Sequence, residues 1–544
     1  MLSDDSVITS RPSATCILLS GLSVVLYNLR TLKFDLDQPL ELWPLALVCL
    51  SPMIAAQECR GAILVSSISF AACSGIFFWS IGLELYLGLV TGLIWGALWD
   101  LLEVSDEYVL DDKSAIGKPI RRAAYWTGIV YITSYFLGTF FALSTPFHDV
   151  PSLIQPISWF GFYSLEFTVF LVNAALGQLV FTQRRKPLVA LVLWCMLGWS
   201  LLSIIQFYIL RTSTGPSARV ATITPGAELG GVACDETAVE QYERDATCNG
   251  TLERQMQLTK DAVMNKGARF VVWPEMWLGP FQNLTEAKDY IRSEIGQVAG
   301  QLNIFMSIGA LVGENGNIAM LVGPGGKILG IYGKQNRLGV VGEKSSLRFG
   351  YPTYEVPSTF IDSNGPWTGK VGMLICYDVD FSQAVRSMIL QGAGLILNPS
   401  QDWSAVRDHL SQVVFRAVES RVAIVKADMA WDSAIVDQMG RKVARFQSRN
   451  ERENVLFERG GRIAKRKCLN EMTTWRTLPL AGRRPLLILP ECQKRRVWRH
   501  HKTHSLTLEV GSKNVKCIGL DDDENTEEDG QLASYRVNVF SMGG

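Results

Sequence analysis

Three side chains, far apart along the chain, have the types needed to run an acyl transfer together: Glu275, Lys334 and Cys376. Glu275 stands in Val272-Trp273-Pro274-Glu275, where the proline ends an apolar run and blocks a strand ladder. Lys334 follows a glycine turn in Tyr332-Gly333-Lys334, and Cys376 closes the run Gly372-Met373-Leu374-Ile375-Cys376. Taken singly, each has an ordinary explanation: a solvated loop carboxylate, a surface lysine, a small buried thiol. Taken together they complement one another. A free thiol with a pKa near ~8.5 is mostly protonated at neutral pH and needs a base. Histidine is scarce, and His409 alone falls in the soluble region proper, so a cysteine–histidine pair has little to draw on. A buried glutamate can take the proton instead. A lysine ammonium favours the thiolate and can then stabilise the oxyanion of a tetrahedral intermediate.

The elements that must position these groups follow Arg211, where short β-rich runs alternate with amphipathic stretches. Strands are expected over 219–225, 268–273, 303–311, 370–376, 395–397 and 422–426, and helices over 251–266, 381–391 and 408–420. A hairpin is expected over 317–332 around Gly323-Pro324-Gly325-Gly326. Such alternation implies a layered sheet-and-helix sandwich. Glu275 and Cys376 both fall where strands end. Cys376 sits where strand gives way to helix, a place where backbone N–H groups can receive an oxyanion.

The first part of the chain is of another kind. The mean hydropathy of the chain is +0.15, and the long apolar runs gather before Arg211. A membrane span needs roughly 20 apolar residues. Seven stretches qualify or nearly so: 14–29, 40–56, 62–80, 81–102, 123–143, 157–181 and 188–210. Apolar runs that keep recurring exclude a cleaved signal peptide. The loop 103–122 carries Lys113, Lys118, Arg121 and Arg122, and the loop 182–187 carries Arg184, Arg185 and Lys186, whereas 144–155 has no lysine or arginine. By the positive-inside rule the two basic loops face the cytoplasm and everything after Arg211 is extracytoplasmic. Arg30 and Lys33 fall on the opposite side and run against that pattern. In a eukaryotic source, sequons at Asn249 and Asn283 would agree with that side. Cys234 and Cys248 read equally as a disulfide pair of an oxidising compartment and as two unrelated thiols.

Formal net charge is zero, so nothing points to a nucleic-acid partner. The 11 cysteines include no CxxC pair, so neither a metal site nor a cofactor is expected.

The three motifs, in this order, resemble the carbon–nitrogen hydrolase (nitrilase) superfamily: Trp273-Pro274-Glu275, Tyr332-Gly333-Lys334 and Ile375-Cys376-Tyr377-Asp378. The resemblance covers about 219–446 and takes in Leu397-Asn398-Pro399-Ser400, Asp402-Trp403 and Arg416-Ala417-Val418-Glu419. A multi-span segment before such a domain is similar to the apolipoprotein N-acyltransferase family. The resemblance implies an all-α multi-pass transmembrane bundle over 14–210, after a short tail 1–13, carrying an α/β nitrilase-type αββα sandwich over 219–446. It implies Glu275 as general base, Lys334 as oxyanion stabiliser and Cys376 as nucleophile. Glu343, in Gly342-Glu343, matches the family's second glutamate and would position Lys334. Tyr377 sits beside the nucleophile as in the family, while Asp378 stands where the acyltransferases usually have glutamate. The implied reaction moves a fatty acyl chain from a phospholipid to an amine, of a lipoprotein or another acceptor, through a thioester on Cys376. Trp273 and Trp277 flank Glu275 and read equally as membrane-dipping and as core residues.

The tail departs from the family. Residues 447–544 hold a charged run, a basic run and the acidic block 521–529, and are expected to be disordered. Two other readings stand beside it: a membrane-tethered amidase with the same triad, in which water takes the acyl group, and a catalytically inactive scaffold.

Overall fold

A computed structural model describes residues 14–32, 40–57, 63–80, 85–109, 115–139, 141–180, 182, 185–211, 217–224, 245–313, 316–337, 347, 349–362, 369–402, 409–429, 432–447, 506–511, 514–519 and 531–538.

Helices stand at each of the seven apolar stretches. They are α1 (Ala14–Leu29), a short ladder of β1 (Thr31–Leu32) with β2 (Leu40–Glu41), α2 (Trp43–Ala46), α3 (Ser51–Gln57), α4 (Ile63–Ser80), α5 (Leu85–Val109), α6 (Gly117–Leu137), α7 (Ile157–Phe160), α8 (Phe162–Leu179) and α9 (Arg185–Arg211). Three segments are long and apolar enough to cross a membrane: Leu85–Glu103, Phe162–Leu179 and Arg185–Leu210. The chain is a membrane protein, and α9 presents Leu193, Trp194, Leu197, Leu201, Tyr208 and Ile209 outward, as a lipid-facing helix should.

The expected single helix over 40–56 is corrected to two short helices with a turn between them. Pro52, in the first turn of α3, cannot bond back to Val48 O, which Ser51 N takes instead (3.1 Å), and in the intervening turn Ala46 O and Leu50 N, which would pair in a continuous helix, are parted. In an apolar bundle the freed groups must still be paired. Asn173, fully buried on α8, does this: its Nδ2 donates to Ala46 O (2.7 Å) and its Oδ1 accepts from Leu50 N (2.8 Å).

Arg30, which ran against the charge pattern, is not a loop charge. It is buried beneath the 142–143 turn, its guanidinium 4.2 Å from the Tyr27 ring and 3.4 Å from Leu143 O. Glu166 grips the same turn, accepting from Leu143 N, Ser144 N (2.9 Å each) and Trp126 Nε1 (2.7 Å). Of the basic loop, Arg122 is spent on a bidentate pair with Glu103 (2.6 and 2.9 Å) that ties α5 to α6.

The second part is an αββα sandwich. The elements in chain order are β3 (Ser217–Thr224), α10 (Asp245–Lys266), β4 (Phe270–Val272), β5 (Leu278–Phe281), α11 (Leu284–Tyr290), α12 (Gly296–Leu302), β6 (Phe305–Val312), β7 (Gly316–Val322), β8 (Ile328–Gly333), β9 (Thr353–Glu355), β10 (Lys370–Met373), α13 (Ser382–Ile389), β11 (Ala393–Ser400), α14 (His409–Ser420), β12 (Ala423–Asp428), β13 (Asp432–Val436) and β14 (Lys442–Gln447). One sheet runs β3-β4-β6-β7-β8, with β5 on β6; the other runs β14-β13-β12-β11-β10-β9. Strands β3, β4 and β6 are mutually parallel, as are β10, β11 and β12. Val220, Phe270, Val272 and Phe305 meet Val371, Met373, Leu395 and Val425 between the sheets. On the outer face of the first sheet, Ile223, Val271 and Met306 pack on Leu258 and Ala262 of α10 and Ala299 of α12. Trp273 belongs to that core, with Nε1 donating to Thr259 Oγ1 (3.0 Å), and Trp277 packs against it. Of the two readings of these tryptophans, the core one fits.

The expected disorder over 447–544 is corrected at its end. Gln531–Asn538 forms a strand, labelled β17 below, that pairs antiparallel with the whole of β3, from Gln531↔Thr224 to Asn538↔Ser217. The edge of β3 offers unpaired backbone groups, and Tyr535 and Val537 suit a strand. The acidic block beside it hid that pattern. Residues 455–529 form a separate unit, in which β15 (Leu506–Gly511) pairs antiparallel with β16 (Asn514–Gly519).

The sandwich is tied to the bundle through the lysine-free loop. Arg421 donates to Gln155 Oε1 (2.5 Å), Gln155 O (3.0 Å) and Ser158 Oγ (2.8 Å). Glu419 Oε1 accepts from Phe162 N (2.9 Å), Gln155 Nε2 donates to Met439 O (3.0 Å), and Lys442 pairs with Asp149.

Candidate active site

The parallel strands of both sheets point their C-terminal ends at one place, where such folds hold ligands. Glu275 follows β4, Cys376 follows β10, Asp402 follows β11 and Asp428 ends β12. Glu275 reaches its position through a tight approach to β6: a Cβ on Gly309 would lie 2.2 Å from Pro274 O and 2.6 Å from Glu275 Cα. Its own N–H donates to Ser400 O (3.3 Å), which joins the two sheets at the site.

Glu275 and Lys334 form a buried ion pair, Nζ to Oε1 3.0 Å, with exposures of 2% and 4%. At those values an unpaired charge would be costly, so the pair and its added donors matter. Asn317 Nδ2 supplies one, 2.6 Å from the same Oε1, and Asn317 O accepts from Lys334 N (3.0 Å). Asn317 therefore sets both members of the pair from β7, and nothing in its local sequence pointed to it.

Cys376 opens a 3₁₀ turn, Cys376–Asp380, that leads into α13. Its φ of 45° is left-handed, a conformation that costs a non-glycine residue of order 1–3 kcal/mol and is retained where function over-determines it. The thiol is pushed well above its ordinary pKa by burial and by the nearby Glu275, with Lys334 opposing. Those charges are the ones that act on the sulfur, together with Asp402, whose Oδ1 accepts from Sγ at 3.5 Å.

Asp378 anchors the lysine loop. Its carboxylate accepts from Tyr332 OH (2.7 Å), Asn336 N (2.7 Å), Asn336 Nδ2 (3.0 Å) and Gln335 N (3.2 Å). Burial lifts its pKa to about 6 against those donors. A shorter acid than the glutamate of the resemblance thus still spans the gap, because the backbone of 335–336 comes to it. Tyr377 is buried beside the nucleophile and stacks edge-on against Phe381 (5.2 Å). Glu343, Cys234 and Trp403 lie outside the described residues, as does the side chain of Cys248.

His409, the one histidine of the soluble region proper, neighbours the site. It opens α14 and is 1% exposed. Its Nδ1 is 2.7 Å from Asp402 Oδ1 and its Nε2 makes an ion-pair contact of 2.9 Å with Asp380 Oδ1. Lys426 Nζ bridges Asp402 Oδ2 and Asp428 Oδ2 (2.5 Å each). Burial alone would depress His409, but the two carboxylates raise it to about 10. Burial would raise Asp402, but His409 and Lys426 hold it well below the usual carboxylate range. Ligand-type atoms of Cys376, Asp402 and His409 lie within 4.8 Å of one another. Each imidazole nitrogen has a carboxylate at ion-pair distance, and the Asp402 carboxylate is shared between His409 and Lys426.

The carbon–nitrogen hydrolase family model matches residues 236–458, and the apolipoprotein N-acyltransferase N-terminal domain model matches residues 32–175. An apolipoprotein N-acyltransferase of Geobacter metallireducens is 24% identical over 451 residues, 73% of this chain and 81% of that relative. Apolipoprotein N-acyltransferase 1 of Treponema denticola is 38% identical over 76 residues, 13% of this chain and 14% of that relative. Among solved structures, an amidase from Nesterenkonia sp. matches 44% of this chain and 89% of its own at 19% identity, with a TM-score of 0.33. The two models cover the sandwich and most of the helical bundle, and over both parts the chain is similar to the apolipoprotein N-acyltransferases of the carbon–nitrogen hydrolase superfamily.

Proposed function

We propose that the protein moves a long acyl chain from a phospholipid to an amine, through a thioester on Cys376. The observation that carries this reading is the buried Glu275–Lys334 pair acting on Cys376 in a sandwich bonded directly to an apolar helical bundle. A thiol drawing its substrate from a bilayer gains from that attachment, since burial of an acyl chain contributes about 0.8 kcal/mol per CH₂.

In the first half-reaction Glu275 takes the Cys376 proton and the thiolate attacks the ester carbonyl of the phospholipid. Lys334 faces the oxyanion. The tetrahedral species collapses, the lysophospholipid oxygen leaves with the proton held by Glu275, and the acyl thioester remains. In the second half-reaction Glu275 takes a proton from the acceptor amine, whose nitrogen attacks the thioester. Cys376 sulfur leaves and is reprotonated, and an amide is released. The domain limits follow: a bundle over 14–210 and a catalytic domain over 219–446, closed by the strand at 531–538. The catalytic domain lies on the extracytoplasmic side. Its bonds to the lysine-free loop 144–155, with Arg30 buried and so absent from the loop charges, support that side.

The test is intact-mass spectrometry of protein incubated with phospholipid. The expected result is a hydroxylamine-labile acyl adduct on Cys376, absent from Cys376→Ala and transferred to added amine. Cleavage of small amides with no long-chain adduct would move the reading to a hydrolase.

A further inference from the structure

We propose that His409 is a positioning residue held as an imidazolium at neutral pH, whose charge cancels that of Asp402 so that Asp402 can orient the Cys376 thiol without suppressing its ionisation. The inference rests on the acyl-transfer reading only for naming Cys376 the nucleophile.

The geometry comes first. Carboxylates stand at both ring nitrogens, Asp402 at 2.7 Å and Asp380 at 2.9 Å. Two carboxylates at ion-pair distance, one on each side of the ring, favour the charged, doubly protonated imidazole over the neutral one. The ring is 1% exposed, so its proton has no easy exit. Asp402 in turn lies 3.5 Å from Cys376 Sγ. A bare carboxylate there would oppose the thiolate.

The charges facing this chain come from every element around it. Glu275 after β4 and Lys334 after β8 act on the thiol, Lys426 and Asp428 on β12 act on Asp402, and Arg416 on α14 acts on Asp380. Glu275 and Lys334 offset one another, as do Asp428 and Lys426. His409 is what remains to balance Asp402 on its thiol-facing oxygen, since Lys426 takes the other one.

The far end of the chain touches the membrane part. Asp380 O lies 3.1 Å from Thr139 Oγ1, which also reaches Gln412 Oε1 (2.5 Å). Gly138, at φ 66°, packs so closely that a Cβ would stand 2.6 Å from Asp380 Cβ. The bundle's loop therefore fixes Asp380, Asp380 fixes His409, and His409 fixes Asp402 beside the sulfur.

The test is the pH profile of iodoacetamide alkylation of Cys376 in the full-length protein, which needs neither acyl donor nor acceptor and so stands apart from the fate of the acyl-transfer reading. His409→Gln is expected to move the thiolate inflection up by about one pH unit, roughly tenfold slower labelling at neutral pH. Adding Asp402→Asn to it is expected to return the inflection to the wild-type position or below. Asp402→Asn alone, which removes the anion beside the sulfur while Asp380 still faces the imidazolium, is expected to lower the inflection, and this variant carries the test if His409→Gln does not fold. An unmoved inflection in folded His409→Gln, a shift that persists in the double variant, or an Asp402→Asn profile at or above wild type overturns the proposal.

Discussion

At Glu275 a single oxygen, Oε1, receives both the Lys334 ammonium and the Asn317 amide. On the proposed mechanism the second oxygen then serves as the base. Asn317→Leu removes one donor while leaving the buried carboxylate in place, so labelling of Cys376 by acyl donor should fall by about 10²-fold, in line with losses for positioned hydrogen-bond donors. Stopped-flow or quenched formation of the thioester would measure it, and an unchanged rate would mean that Lys334 alone orients Glu275. Glu275→Gln, which keeps the shape but not the basicity, should cost about 10²–10⁴-fold in the same assay.

Among the elements, the 3₁₀ turn at Cys376–Asp380 and the loop after β8 are held together by Asp378. Asp378→Ala would strand Tyr332 OH and the N–H groups of Gln335 and Asn336. Each buried group left unpaired costs about 1–3 kcal/mol. A melting transition lowered accordingly, together with slower thioester formation, is the expected outcome; Asp378→Glu should retain most of both. In the bundle, Asn173→Ala exposes the same problem at the broken second helix, where Ala46 O and Leu50 N lose their partner. The lost stability should be of similar size and visible by thermal unfolding in detergent.

Across the entire protein, the buried charge network makes stability depend on pH. His409 is raised to about 10 from an ordinary value near 6.5. A group raised on folding contributes stability that is complete below its unfolded pKa and is lost as pH rises through its folded pKa. The melting temperature should therefore decline from about pH 6.5 to pH 10, and more steeply in wild type than in His409→Gln. Parallel slopes in the two would show that another group titrates there. Closure of the first sheet is a second property at this size. Removing residues 531–544 uncovers the edge of β3 along its full length, and such edges pair with other chains. Self-association on truncation, seen by light scattering in detergent, is the expected result.

Much of this could be read from local pattern. Each apolar run met a helix, and the strand expected over 303–311 is observed at Phe305–Val312, because burial on a sheet or in a bilayer imposes a short-range periodicity. The three motif residues were found the same way, since each sits at the punctuation where a strand stops. The break in the second span was not read from the sequence, and its repair depends on Asn173, more than a hundred residues away. What no local window could supply was the set of partners: Asn317 for Glu275, Asp402 and Asp380 for His409, and Gln531–Asn538 for β3. Those contacts are decided by strand register and by which loops converge at the strand ends. Register is a non-local quantity, set only when the sheets pack and the sandwich docks on the bundle. His409 is the clearest case. Composition alone made it a lone histidine with nothing to act on, and the packed fold places it between two carboxylates, one step from the sulfur.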